Sequence, residues 1–151
     1  MKILVIHGPN LNLLGRREPE VYGTETLDDL NASITRHGRE RGVEVDIFHS
    51  NHEGDIIDRI HAAGGVGADP GRRADAIVIN PGAYTHTSLA IADAIAGVGV
   101  PTIEVHLSDI HARGELRARS LVAGACAAQI CGHGFESYLL GIDAAIEVSK
   151  S

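Results

Sequence analysis

The side chains able to do chemistry crowd into three stretches of this 151-residue chain. The first, residues 7–23, reads His-Gly-Pro-Asn-Leu-Asn-Leu-Leu-Gly-Arg-Arg-Glu-Pro-Glu-Val-Tyr-Gly. The second is Asn80-Pro81-Gly82-Ala83-Tyr84-Thr85-His86-Thr87-Ser88, and the third runs from Glu104 to Arg113 with Arg117 and Arg119 just beyond. Five arginines (Arg16, Arg17, Arg113, Arg117 and Arg119) fall in or beside the first and third stretches, in a protein of formal net charge −7. One such arginine is ordinary solvated surface. Five brought to one edge of a fold point to a small anionic ligand, a carboxylate or phosphate, which guanidinium binds in a bidentate manner. Lysine is confined to Lys2 and Lys150, so a mid-chain Schiff-base lysine or a phosphate-loop lysine is excluded. Any electropositive site must come from Arg and His.

The elements that would carry these stretches alternate. Apolar, β-rich runs occur at Ile3–Ile6, Val43–Phe48, Ala76–Asn80, Thr102–His106 and Ala127–Cys131. They are continuous rather than alternating, as in parallel strands covered on both faces. Between them lie helical spacings. Thr26-Leu27-Asp28-Asp29 reads as a capping box with Gly42 as a stop, and Ser50-Asn51-His52-Glu53 as a second box. Thr87-Ser88 opens a third helix that ends at Gly97 and Gly99, and a fourth runs from Glu136 to Val148. Five strands alternating with helices predict a doubly wound, flavodoxin-like α/β sheet in one catalytic domain spanning 1–151. The Gly-rich segment Gly64–Arg73 reads as an enlarged surface loop within it.

Ligands of such sheets sit outside the carboxyl ends of the strands. All three chemical stretches follow a strand directly. The first makes a connection of 17 residues, against roughly two to six for ordinary loops of this kind, so a lid over about 8–24 is expected.

Four blocks, in this order and spacing, resemble the type II 3-dehydroquinate dehydratases of the shikimate pathway. They are Gly8-Pro9-Asn10-Leu11-Asn12; Arg16-Arg17-Glu18-Pro19 with Tyr22-Gly23; Asn80-Pro81-Gly82 with Thr85-His86-Thr87-Ser88; and Glu104-Val105-His106-Leu107-Ser108. The resemblance implies a lyase that takes 3-dehydroquinate to 3-dehydroshikimate through an enolate. Tyr22 matches the base that removes the proton next to the ketone. Arg17 matches the loop arginine that favours its phenolate, since a phenol titrates ordinarily near about 10. His106 matches the general acid for the departing hydroxyl, oriented by Glu104 on the same strand face. Asn10 matches the residue that steadies the enolate oxygen with a water. Asn80, His86 and Arg117 match residues that hold substrate hydroxyls and carboxylate, and the backbone N–H groups of Leu107 and Ser108 match a carboxylate clasp. Asp93 matches a carboxylate supplied by a neighbouring subunit, because the family forms trimers stacked into a dodecamer. No metal or cofactor is implied. Departures from the family pattern fall at Asp109, usually Asn; at Gly114, usually acidic; in the longer 64–73 loop; and after Arg119, where an aromatic is missing.

Two other function classes compete. A zinc hydrolase could gather His7, His86, His106 and His111, but no helical His-x-x-x-His pair or Cys-x-x-Cys is present. A flavodoxin-like binding module would want acidic residues or a Ser/Thr/Gly phosphate loop after the first strand, where His7-Gly8-Pro9-Asn10 stands instead. Net acidity and only 3% aromatic residues argue against nucleic acid. The opening apolar run is too short for a signal peptide or membrane span, and two cysteines are too few for a disulfide framework. A cytoplasmic protein with reduced Cys126 and Cys131, set on opposite faces of one strand, is expected.

Overall fold

The computed structural model describes residues 1–16, 19–67 and 69–150, with Val21 and Tyr22 described in their backbone only. Five strands, β1 (Lys2–His7), β2 (Glu44–His49), β3 (Ala76–Asn80), β4 (Thr102–His106) and β5 (Ala128–Cys131), form one parallel sheet in the order β2-β1-β3-β4-β5. This is the flavodoxin-like order, with its topological switch between β1 and β3. The expected fold class therefore holds. Register pairs Ile3 with Val45 on one side and with Ala76 on the other.

The central strands carry apolar residues on both faces because both faces are covered. Ile3 and Val5 of β1 join Val78, Ile103 and Val105 in a core closed by α2 (Leu27–Glu40) and α5 (Glu136–Ser149). The alternate residues Leu4 and Ile6 join Ile77 and Ile79 under α3 (Glu53–Ala63) and α4 (Leu89–Val98). One residue of strand slip would exchange the two cores, so register is tightly specified. On α5 a glycine lets the helix reach the sheet: a Cβ at Gly141 would stand 2.7 Å from Val105 Cγ1.

The expected capping box at Thr26 is present in both directions, Thr26 Oγ1 accepting from Asp29 N and Asp29 Oδ2 from Thr26 N. The second expected box is not. Helix α3 is entered through His52, with no side-chain cap, because Ser50 lies two residues too early. Its Oγ instead accepts from His52 N at 2.9 Å and donates to Asp55 Oδ2 at 3.1 Å. The last strand also begins one residue later than its apolar run. Residues Ala123–Ala125 form a 3-10 turn, and Cys126 closes it in extended conformation. Cys126 thus lies outside β5 and packs on the α3/α4 core, while Cys131 is within β5. Both thiols are free. Burial pushes Cys126 up to about 12 and Cys131 up to about 11, with Glu104 adding to each. The expected long first loop contains a 3-10 turn, Leu11–Leu13, and a single-turn helix α1 (Pro19–Tyr22).

Candidate active site

Two loops meet at backbone contact above the switch point. Gly8 N donates to Asn80 O at 2.7 Å, and a Cβ on Gly8 would stand 2.5 Å from Pro81 O. Only glycine fits there. Asn10, two residues on, takes a left-handed conformation with φ 71°, tolerated best by Asn among residues with side chains. Asn51, from the loop after β2, accepts the Asn10 N–H at 2.9 Å and fixes that turn.

The crossing creates a cavity of about 140 Å³ at the carboxyl ends of β1, β3 and β4. Drug-sized sites run from roughly 300 to 1,000 Å³, so this one takes a compact ligand. Of the residues singled out in the sequence, Asn10, Asn80, His86, His106, Leu107, Ser108 and Arg117 all line it. Glu104 sits directly beneath His106. Asp93 lies exposed on α4 and does not line the cavity of its own chain. Arg17 lies outside the described residues, as does the side chain of Tyr22.

The floor of the cavity is a buried acid–imidazole pair. Glu104 and His106 are alternate residues of β4, hence on one face, and Glu104 Oε2 stands 2.6 Å from His106 Nε2. Glu104 is fully buried, but four side chains converge on its two oxygens. Thr85 Oγ1 donates to Oε2 at 2.7 Å, Ser120 Oγ to Oε1 at 2.9 Å, and Gln129 Nε2 to Oε1 at 3.1 Å. Burial alone would raise the Glu104 pKa. The hydrogen bonds from His106, Thr85 and Ser120, with the His106 charge, outweigh it and hold the carboxyl below its usual value. With Nε2 engaged by a carboxylate, Nδ1 is the ring nitrogen left for the cavity. A carboxylate partner on Nε2 fixes the orientation of the ring and leaves Nδ1 as the nitrogen available for proton transfer.

Around this floor the walls are polar and cationic. His86 Nδ1 donates to Arg119 O at 2.7 Å, which turns its Nε2 to the other side of the ring. Arg117 ends a 3-10 turn, Glu115–Arg117, that starts from Gly114 at φ 95°. Glycine adopts that value freely, at the position where the resemblance leads one to expect an acidic residue. Asp109 caps the preceding turn, accepting from His111 N at 3.1 Å. The four histidines of the zinc alternative do not converge: His7 Nδ1 and Nε2 are held by Tyr138 and Asn31, and His111 Nδ1 and Nε2 by Ala118 O and Gln129 Oε1. Among the described residues no group of three or more His, Cys, Asp or Glu side chains could hold a metal ion.

Sequence reasoning missed part of the site. Arg113 was one of the clustered arginines, but its place on the cavity wall beside Arg117 emerges only here. Thr85, Ser120 and Gln129, the supports of Glu104, lie 19, 16 and 25 residues from it, and only Thr85 falls in a conspicuous motif.

Residues 1–146 match the family model described as dehydroquinase class II. The chain belongs to that family. Relatives agree along almost its whole length. It is 53% identical over 144 residues to a 3-dehydroquinate dehydratase of Geotalea daltonii, covering 95% of each chain. It is 47% identical over 155 residues to a catabolic 3-dehydroquinase of Podospora anserina, covering 99% of this chain and 96% of that one. The crystal structure of a type II dehydroquinase from Butyrivibrio crossotus superposes with a TM-score of 0.90 at 46% identity, covering 97% of both chains. The cavity described above is therefore the candidate active site of a class II dehydroquinase. Among the described residues of this family member, no helix is long and apolar enough to cross a membrane.

Proposed function

We propose that this chain dehydrates 3-dehydroquinate to 3-dehydroshikimate, with Tyr22 as base and His106 as general acid. The observation that carries the reading is the buried Glu104–His106 pair at the floor of a compact cavity walled by Asn10, Asn80, His86 and Arg117. The substrate is a small carboxylate rich in hydroxyls, and these walls offer amide, imidazole and guanidinium partners for both. Arg117 takes the carboxylate along with the backbone N–H groups of Leu107 and Ser108, while Asn80 and His86 take hydroxyls.

The ketone acidifies the neighbouring carbon–hydrogen bond, so no cofactor is called on. The Tyr22 phenolate, favoured by the charge of Arg17, accepts that proton. Electron density moves to the ketone oxygen, where Asn10 and a water stabilise the enolate. The enolate re-forms the ketone, its electrons create the ring double bond, and the hydroxyl leaves with a proton from His106 Nδ1. One water is released. Tyr22 has gained one proton and His106 has lost one, so exchange with solvent resets both.

The loop over 8–24 is read as a lid that brings Tyr22 and Arg17 over the cavity. In the proposed trimer-based dodecamer, Asp93 of a neighbouring copy completes the site. Its exposure on α4 beside Leu89, itself 63% exposed, fits a face that another copy covers. The lack of disulfides fits a cytoplasmic location.

The test is the enone absorbance that develops when purified protein meets 3-dehydroquinate. Turnover is expected, with a loss of about 10²-fold or more in Tyr22→Phe and in His106→Ala. No product with the wild type overturns the activity. Near-normal rates in either variant remove that residue from the mechanism.

A further inference from the structure

His111 stands on the exposed 3-10 turn Ile110–Ala112 that follows β4; it does not line the cavity, and the proposed chemistry does not use it. Asp109 Oδ1 accepts its backbone N–H at 3.1 Å. Its ring reaches two other parts of the site. Nε2 lies 3.0 Å from Gln129 Oε1 on β5, and Nδ1 lies 2.9 Å from Ala118 O. Ala118 closes the turn Glu115–Arg117. The second contact therefore ties off a loop, residues 112–117, that carries Arg113 and Arg117 on the cavity wall.

The partners decide where the ring hydrogens must be. Gln129 Nε2 donates to Glu104 Oε1 at 3.1 Å, and a carboxylate can only accept, so the amide oxygen is the end turned to His111. Ala118 offers a carbonyl. Both partners are acceptors without a hydrogen, so each bond exists only when the facing ring nitrogen carries one. A neutral imidazole carries one hydrogen and an imidazolium two. The neutral ring sets a nitrogen lone pair against one of the two oxygens and must release that partner. The charged ring keeps both.

We infer that His111 is a positioning residue: as an imidazolium it pins the loop of Arg113 and Arg117 to the Gln129 amide, and so joins the anion-binding wall of the cavity to the Glu104 floor. A carboxylate ligand is then bound more tightly while the ring is charged. The inference rests on the reading of Arg117 as the substrate's carboxylate partner. The surroundings favour the charged ring. The Gln129 bond first, then that to Ala118 and the negative charges of Asp109 on its own turn and Glu104 on β4, raise its pKa above 6.5. From β5 it meets the neutral Gln129, and burial pushes the Cys131 thiol of that strand up to about 11, so it too stays neutral. Arg113 and Arg117 of the loop keep their charge throughout and add no titration. Because the pKa is raised, the clamp is complete below the His111 midpoint and loosens as pH rises through it.

Two measurements on the full chain test this. In ¹⁵N-labelled wild type, both His111 ring nitrogens should carry hydrogen at pH 6. The Gln129 side-chain amide, or the Arg119 amide that shares a peptide with Ala118 O, should titrate with the His111 midpoint. A neutral ring at pH 6, or both amides flat through the midpoint, overturns the clamp. Steady-state kinetics supply the second. At pH 6 His111→Ala should raise KM for 3-dehydroquinate about tenfold, the value of two exposed hydrogen bonds of about threefold each, with kcat changed less than about threefold. About two pH units above the midpoint, where the wild type keeps one bond, the ratio of the two KM values should shrink to about threefold. Taking the ratio removes titrations common to both proteins. A ratio constant with pH is what a merely structural loss gives and overturns the inference, as does a fall confined to kcat. Asp109→Asn keeps the acceptor for the His111 N–H and removes the charge. It should lower the His111 midpoint and carry the rise of KM to lower pH with it; an unshifted midpoint, or a KM change that stays behind, overturns the inference even if His111→Ala fails to fold. Absence of wild-type turnover refutes the functional reading alone, and the ring and amide resonances then judge the clamp.

Discussion

Gly8→Ala is the smallest change that should uncouple this fold from its site. The added Cβ would lie 2.5 Å from Pro81 O, 2.6 Å from Pro81 C and 2.9 Å from Asn80 O. All three are backbone atoms, so no side chain can swing aside. A carbon–oxygen contact relaxes at roughly 3.3 Å or beyond, so the two loops must part by ~0.8 Å. That movement stretches the 2.7 Å bond from Gly8 N to Asn80 O past useful length. Overpacking of this kind costs about 1–3 kcal/mol, and the lost bond about 1 kcal/mol more, giving a loss near 2–4 kcal/mol. Asn10 and Asn80 flank the cavity from the two parted loops. A displacement approaching 1 Å is worth about 10²-fold in rate when reacting groups must be aligned. Urea melts followed by far-UV circular dichroism would measure the first quantity, since the chain has no Trp. The enone assay would measure the second. Wild-type stability, or wild-type kcat/KM in a destabilised variant, would refute the claim that this contact aligns the site.

Three more predictions concern ionisable side chains. Glu104→Gln puts an amide among donors from Thr85, His106, Ser120 and Gln129; stability should fall by about 2–4 kcal/mol and kcat by about 10²-fold, and an unchanged melting curve would contradict the network. His7 is expected to give stability an acid limb. Its ring titrates at about 4 when folded and 6.5 when not, so its contribution is intact above the unfolded value and is lost as pH falls toward the folded one. Linkage gives a loss of about 2 kcal/mol between pH 7 and 5, which His7→Asn should remove; parallel pH profiles for the two proteins would rule it out. Only a charged His111 ring can donate from both nitrogens, to Gln129 Oε1 and Ala118 O, and these acceptors raise its pKa above 6.5. An NMR titration should find its midpoint above that value and lower in Gln129→Ala, and a wild-type midpoint at or below 6.5 would count against the geometry.

The strands were legible because burial on both faces leaves an unmistakable mark: Ile3–Ile6 and Ala76–Asn80 are apolar without interruption. The loops that follow them were legible because polar side chains gathered there. What the sequence hid is long-range. Nothing local ties Gln129 to Glu104, yet their strands pair in register and their side chains bond. His7 stood in the zinc alternative until Tyr138, 131 residues away, occupied its ring. Ser50 misled for the opposite reason. A serine before an apolar run has two local uses, a cap or a turn, and residue type does not choose between them.

Helix α5 gives one last consequence, in the order of synthesis. Of the three side chains joined through His7, Tyr138 is made last, after His7 and Asn31. A nascent chain can lay β1 beside β3 and close the α3/α4 core before α5 exists. Until that helix docks, the His7 ring lacks its phenol partner. The bonded state of the His7 ring is therefore a late product of folding. Partly made chains should carry most of the sheet and none of the activity.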